Sequence, residues 1–161
     1  MNWRIPGLTA ERAVLGFCVW QAVDLLTAWQ HSPLDALGWL AFGIWLTPTL
    51  VSAFRLSLSG PKMCRSTYLA WMALLSCLVG MVTDTHFFKH CALAFACAAV
   101  TPPFRFWRIW LVASLAWMPL LGWLLAGLPW LVVVLVRLGV TAVASLVGWI
   151  GLAGNLRRIT Q

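Results

Sequence analysis

The chain is poor in charge. Only 9% of its 161 residues are Asp, Glu, Lys or Arg, and four residues are acidic. Ordinary soluble domains carry roughly a quarter charged residues, so this composition cannot coat a soluble surface. The five cysteines include no CxxC pair, and their spacing to the three histidines fits no closed zinc site. A disulfide framework and a structural metal are therefore not expected. No Lys/Arg run is dense enough for a nucleic-acid patch, and no internal repeat is evident. A polar stretch long enough for a soluble catalytic domain is also missing. Any active site must then be built from helix faces and short loops.

What the chain has is apolar length. Hydrophobic residues make up 62% of it, and the mean hydropathy is +0.89. A span of the hydrocarbon core takes about 20 apolar residues. Six such segments with short loops use up nearly the whole sequence. The expected fold is all-α, a polytopic integral membrane bundle of about six transmembrane helices in one domain covering residues 1–161. The helices are expected near 13–29, 34–54, 67–82, 85–101, 106–126 and 129–153. The first is read as retained rather than as a cleaved leader, because Gln21 and Asp24 interrupt its apolar core.

The basic residues orient this plan. Arg4 and Arg12 precede the first run, Arg55, Lys62 and Arg65 follow the second, Arg105 and Arg108 follow the fourth, and Arg157 and Arg158 follow the sixth. The alternate gaps carry only Lys89. Basic loops resist translocation and stay in the cytoplasm. Both termini are thus expected in the cytoplasm, with the protein multi-pass in the inner membrane. Attraction to anionic headgroups accounts for the net charge of +7 without a nucleic-acid ligand.

Local signals refine the helix ends. Ser32 reads as an N-cap with Pro33 in the first turn of the second helix. Pro48 is expected to kink that helix, and Pro119 falls in the middle of the fifth. Asp84 reads as an N-cap for the fourth helix, and Lys89 as a snorkelling residue in its first turns. Gly154-Asn155 reads as the end of the sixth. Of the twelve tryptophans, Trp3, Trp107, Trp110 and Trp149 are placed at the inner interface and Trp29 and Trp130 at the outer one. Trp20 and Trp117 are placed deeper, as packing.

Three constellations can carry chemistry. Asp24 and Arg137 are the ionisable residues deepest in their helices. A charge at mid-bilayer costs about 2.5–3.5 kcal/mol on insertion scales and seeks a partner. Counted from the outer ends, Asp24 lies about 8 Å deep and Arg137 about 12 Å, so a buried ion pair between them is expected. Gln21, Asp24 and Thr27 share one helix face, and Arg137, Thr141, Ser145 and Gly148 share another. Second, His86 and His90 stand four residues apart on one face. That spacing suits a metal, a haem edge or a general base beside a thiol, with His31 available from the neighbouring loop. No facing histidine is placed inside an adjacent helix, so haem is not expected, nor any other cofactor. Third, Cys91 lies near the outer face beside His90 and Lys89, where a cation activates a thiol. Cys64 lies beside Arg65 on the inner side, and Cys18, Cys77 and Cys97 read as buried hydrophobes.

Residues 74–103, LLSCLVGMVTDTHFFKHCALAFACAAVTPP, and the following LAWMPLLGWLL resemble parts of the exosortase/archaeosortase superfamily. Its members are polytopic membrane enzymes that cut and transfer C-terminal sorting tails at the outer face. Their catalytic Cys stands in a Cys-Ser/Ala-Gly context, whereas Cys91 is followed by Ala92 and Leu93, and no His follows Arg137. The resemblance implies Cys91 as nucleophile, His86 or His90 as base and Arg137 as oxyanion or carboxylate partner. Against it stands the leading expectation of a non-enzymatic accessory or assembly subunit. That reading rests on the short loops and the incomplete motif, and it calls for a protein partner in the membrane. A haem- or quinone-binding redox subunit is the third reading.

Overall fold

The computed structural model describes residues 10–35, 37–59, 67–101 and 106–159, and these are helical with no strand among them. Eight α-helices follow in chain order: α1 (Ala10–Gln21), α2 (Asp24–His31), α3 (Gly38–Ser59), α4 (Thr67–Val82), α5 (His86–Val100), α6 (Trp107–Val112), α7 (Pro119–Leu124) and α8 (Trp130–Ile159). Short 3₁₀ turns cover Pro33–Asp35 and Ala113–Ala116. The fold class is all-α. One helix among the described residues, Trp130–Ala153, is long and apolar enough to cross a membrane by itself. Shorter apolar helices cover Gly38–Ser52, Thr67–Val82, His86–Val100 and Trp107–Ala116.

α5 is the centre of the bundle. It buries Ala92, Leu93, Ala94, Ala96, Cys97, Ala98 and Ala99. Alanines allow helix backbones to approach closely, and α1 and α4 pack along α5 on this small surface. α4 presents Leu69, Ala70, Ala73, Cys77 and Gly80 to the interior. At Gly80 a Cβ would come within 2.9 Å of the Lys89 side chain and 3.0 Å of its backbone nitrogen. Only glycine permits the α4–α5 hairpin to close this tightly.

The second packing unit pairs α3 with α8. The face Arg137, Thr141, Ser145 and Gly148 is buried along α8. Gly148 meets Pro48 of α3, where an added Cβ would lie 2.8 Å from the proline ring. Pro48 has no N–H to offer the carbonyl four residues back. The Thr47 hydroxyl donates to that Ile44 carbonyl instead, at 2.8 Å. The Thr47 and Ser145 hydroxyls join α3 to α8 at 2.7 Å, and Thr49 and Thr101 join α3 to the end of α5 at 2.8 Å. Trp45 of α3 and Trp110 of α6 stack at 4.2 Å with rings 4° from parallel, and each indole N–H donates to the other's backbone carbonyl.

Several sequence expectations change here. The first helix is two pieces. Amides 25 and 26 bond to the carbonyls of residues 22 and 23, a tighter 3₁₀ spacing that breaks the α-helical ladder without proline or glycine. The second helix begins at Gly38, not near Leu34. Pro33–Asp35 is a 3₁₀ turn, and Leu37 takes a left-handed φ of 62°. Asp84 is not the N-cap of α5. It sits at φ 50° after α4, with the Thr85 amide bonded back to the Gly80 carbonyl at 3.0 Å. That is the left-handed closure of a Schellman motif, a conformation Asp tolerates. The fifth helix is broken. The residue before a proline avoids α geometry, and Met118 is extended at ψ 149° before Pro119. α8 runs past Gly154-Asn155 to Ile159. Trp110 is fully buried on Trp45 rather than interfacial, and Trp20 is exposed rather than packed. Trp3 and Cys64 lie outside the described residues.

Candidate functional site

Two polar sites are built from the ionisable residues, and their pairing differs from the expected one. Arg137 is fully buried in the third turn of α8. Its Nη2 donates to Asp35 Oδ1 at 2.9 Å and its Nη1 to the Asp35 carbonyl at 3.1 Å. Asp35 is itself buried. The expected Asp24–Arg137 ion pair is therefore replaced, since each residue has another partner. The reason is local geometry. The 3₁₀ turn carries both the side chain and the carbonyl of Asp35 toward α8, so one guanidinium meets two acceptors of one residue. Gly38 completes this corner. A Cβ there would collide with the Trp29 ring and lie 2.8 Å from Arg137 Nη1. Trp29 is fixed in turn by donating to the Trp117 carbonyl at 3.1 Å.

Asp24 opens α2 and faces α5. Its Oδ2 lies 2.5 Å from His86 Nδ1 and 3.2 Å from His90 Nε2. The two histidines share a face of α5 because they are one helical turn apart. The histidine nearer the turn, His86, has a side chain 63% exposed, His90 is 5% exposed, and Asp24 is 31% exposed between them. Asp24 Oδ1 is buried with no hydrogen-bond partner among the described residues. Both nitrogens converge on one oxygen rather than around an empty centre. Consistent with that geometry, no group of three or more His, Cys, Asp or Glu among the described residues is arranged to hold a metal ion.

The remaining candidates stand apart. Cys91 is partly buried against the hydrophobic core, and its thiol has no hydrogen bond to His86, His90 or Asp24 among the described residues. Neighbouring positions on a helix point about 100° apart, so sharing a sequence with His90 does not place Cys91 beside its ring. Cys18, Cys77 and Cys97 are buried free thiols. His31 bonds the Thr27 carbonyl through Nδ1 at 2.9 Å and is exposed. Lys89 pairs with Asp84 at 3.3 Å. Thr27 is exposed, so the polar stripe expected on the first helix does not continue into the interior.

The structure thus brings together Asp24, His86 and His90, and separately Asp35 and Arg137. It does not gather Cys91, a histidine and Arg137. Sequence reasoning missed Asp35. The available signal was depth: a carboxylate in the turn before the second helix lies at the same end of the chain's zigzag as Arg137. Comparison with known proteins gives no matching family model, no matching curated protein and no matching solved structure.

Proposed function

We propose that the chain is an integral inner-membrane protein of six crossings that serves as an accessory or assembly subunit of a larger membrane system. The observation that carries the membrane reading is an inverted distribution of polarity. On α8, Arg137 and Thr141 are 0% exposed, while Leu135 is 61% and Ile150 67% exposed. α4 turns Tyr68, Trp71, Leu75, Leu78 and Val82 outward and keeps its small residues inside. Water would reward the opposite arrangement, since large contiguous apolar patches are rare on soluble monomers. A lipid solvent requires polar groups to be satisfied internally.

In this reading α1 with α2 forms the first crossing and α6 with α7 the fifth, while α3, α4, α5 and α8 each cross once. Fifteen and sixteen residues in α5 and α4 give roughly 22–24 Å of helix. That is shorter than the roughly 30 Å hydrocarbon core, a mismatch met by local thinning or by association.

The subunit reading is supported by where the polar residues are spent. Arg137 is held by Asp35, and the Cys91 thiol is not joined to an imidazole. A cysteine transpeptidase needs nucleophile and base within hydrogen-bond reach, and an exosortase-like reaction is the weaker reading on that ground. A redox subunit holding haem between two histidines needs their rings to face each other across a gap, whereas His86 and His90 lie on one face of α5 and both turn a nitrogen to Asp24. Purification from native membranes in mild detergent tests the proposal. A stoichiometric protein partner is expected. A chain that elutes alone, at the mass of a single copy in its micelle, would count against it.

A further inference from the structure

We propose that His86 is an outward-facing general base oriented by Asp24, with His90 as the buried residue that positions the carboxylate. An ionised carboxylate only accepts hydrogen bonds. The contacts of Oδ2 with His86 Nδ1 and His90 Nε2 therefore place the proton of His86 on Nδ1 and that of His90 on Nε2. In the neutral ring the lone pair of His86 then lies on Nε2. That atom is across the ring from Asp24, on a side chain 63% exposed, and makes no hydrogen bond among the described residues.

The three residues have different burial and so different parts. The His90 ring, 5% exposed, reaches Oδ2 from the protein side and holds it where His86 meets it. Asp24 is anchored at the break between α1 and α2, so its backbone position is set by the helix geometry rather than by a loop. The other charges near the site are Lys89 and Asp84, which pair with each other at 3.3 Å. This is the division of labour that lets an imidazole act as a base. A carboxylate fixes the tautomer and neutralises the imidazolium when it forms.

The group served is a thiol presented from water at this end of the bundle. Its proton passes to His86 Nε2, the sulfur keeps the electron pair as a thiolate, and the new positive charge is balanced by Asp24. Which side of the membrane this end faces rests on the topology proposed above, but the tautomer does not, so the two are tested separately.

Imidazole nitrogen-15 spectra of histidine-labelled protein in lipid nanodiscs, at a pH where the rings are neutral, read the tautomers directly. With only three histidines in the chain, His31 serves as reference, its Nδ1 held by the Thr27 carbonyl. The expected result is His86 as Nδ1–H and His90 as Nε2–H. Asp24→Ala returns His86 to the Nε2–H form that water favours and leaves His31 unchanged. Diethyl pyrocarbonate, followed by mass spectrometry, should acylate His86 faster than His31, because a carboxylate polarises the ring more than a neutral carbonyl does. Asp24→Ala should remove that advantage. His86 found as Nε2–H in the wild-type protein, or acylated no faster than His31, overturns the proposal. Both wild-type measurements decide it even where Asp24→Ala does not fold.

Discussion

Asp35 and Arg137, 102 residues apart, form a buried ion pair in which one guanidinium reaches both the carboxylate and the carbonyl of the same residue. The pair fixes the turn before α3 against α8, and Gly38 and Trp29 close over it. Removing one member of a buried pair leaves an uncompensated charge and costs about 3–5 kcal/mol.

Arg137→Ala and Asp35→Ala should therefore each cost about that much in a reversible detergent-denaturation assay. The double variant should be damaged less than the sum of the two. A parallel cycle with Asp24→Ala and Arg137→Ala should be additive, since those residues have different partners. Coupling in the second cycle and none in the first would reverse the assignment.

Two glycines of α8 should behave oppositely. A Cβ at Gly148 would lie 2.8 Å and 3.1 Å from Pro48 ring atoms, whereas nothing lies within 4 Å of one at Gly139. Gly148→Ala should destabilise by about 1–3 kcal/mol through overpacking. Gly139→Ala should be neutral or stabilising by up to about 1 kcal/mol, because alanine is the better helix former. Equal effects in the denaturation assay would mean that α3 and α8 do not meet at Pro48.

The reciprocal Trp45–Trp110 contact makes a third test. Trp45→Phe removes an N–H that donates to the buried Trp110 carbonyl at 2.7 Å, and Trp110→Phe removes its counterpart at 2.9 Å. A lost buried hydrogen bond costs about 0.5–1.5 kcal/mol net, so each variant should lose at least about that much stability. Wild-type stability in both would show the exchange to be dispensable.

Much of this was legible in the sequence, and the rest failed for physical reasons. Apolar periodicity marks the helices, and the face Arg137, Thr141, Ser145, Gly148 is the buried face of α8 because the 3.6-residue repeat places it there. Depth alone misassigned the charges. Counting from the outer end puts Asp24 about 8 Å in, but His90, five residues into its own helix, lies at about the same depth by the helical rise. Depth ranks candidate partners without saying which helix is adjacent. Asp35 falls at the start of the expected second helix, whereas it closes a 3₁₀ turn that is followed by a left-handed φ at Leu37, which the residue type there does not announce. The break after Gln21 has no proline or glycine to mark it. The break at Pro119 has its marker, but the two prolines behave differently: Pro48 stays inside α3, where the Thr47 hydroxyl takes up the Ile44 carbonyl, whereas Pro119 interrupts the fifth segment, where Met118 turns extended.

The thiols should sort by burial. Cys18, Cys77 and Cys97 are buried and Cys91 is partly exposed. In folded protein a maleimide should label Cys91 ahead of those three, read by mass spectrometry of the peptides. Faster labelling of Cys18 or Cys77 would contradict the packing of α1, α4 and α5.

The most direct test of the membrane account is the compartment of two reporter fusions, one after Pro33 and one at the C-terminus. Nine of the eleven basic residues fall in alternate gaps, which the positive-inside rule assigns to the cytoplasm. The account predicts an external reporter at Pro33 and a cytoplasmic one at the C-terminus. An external signal from the C-terminal fusion, or the same compartment for both, would contradict a bundle that crosses the membrane six times.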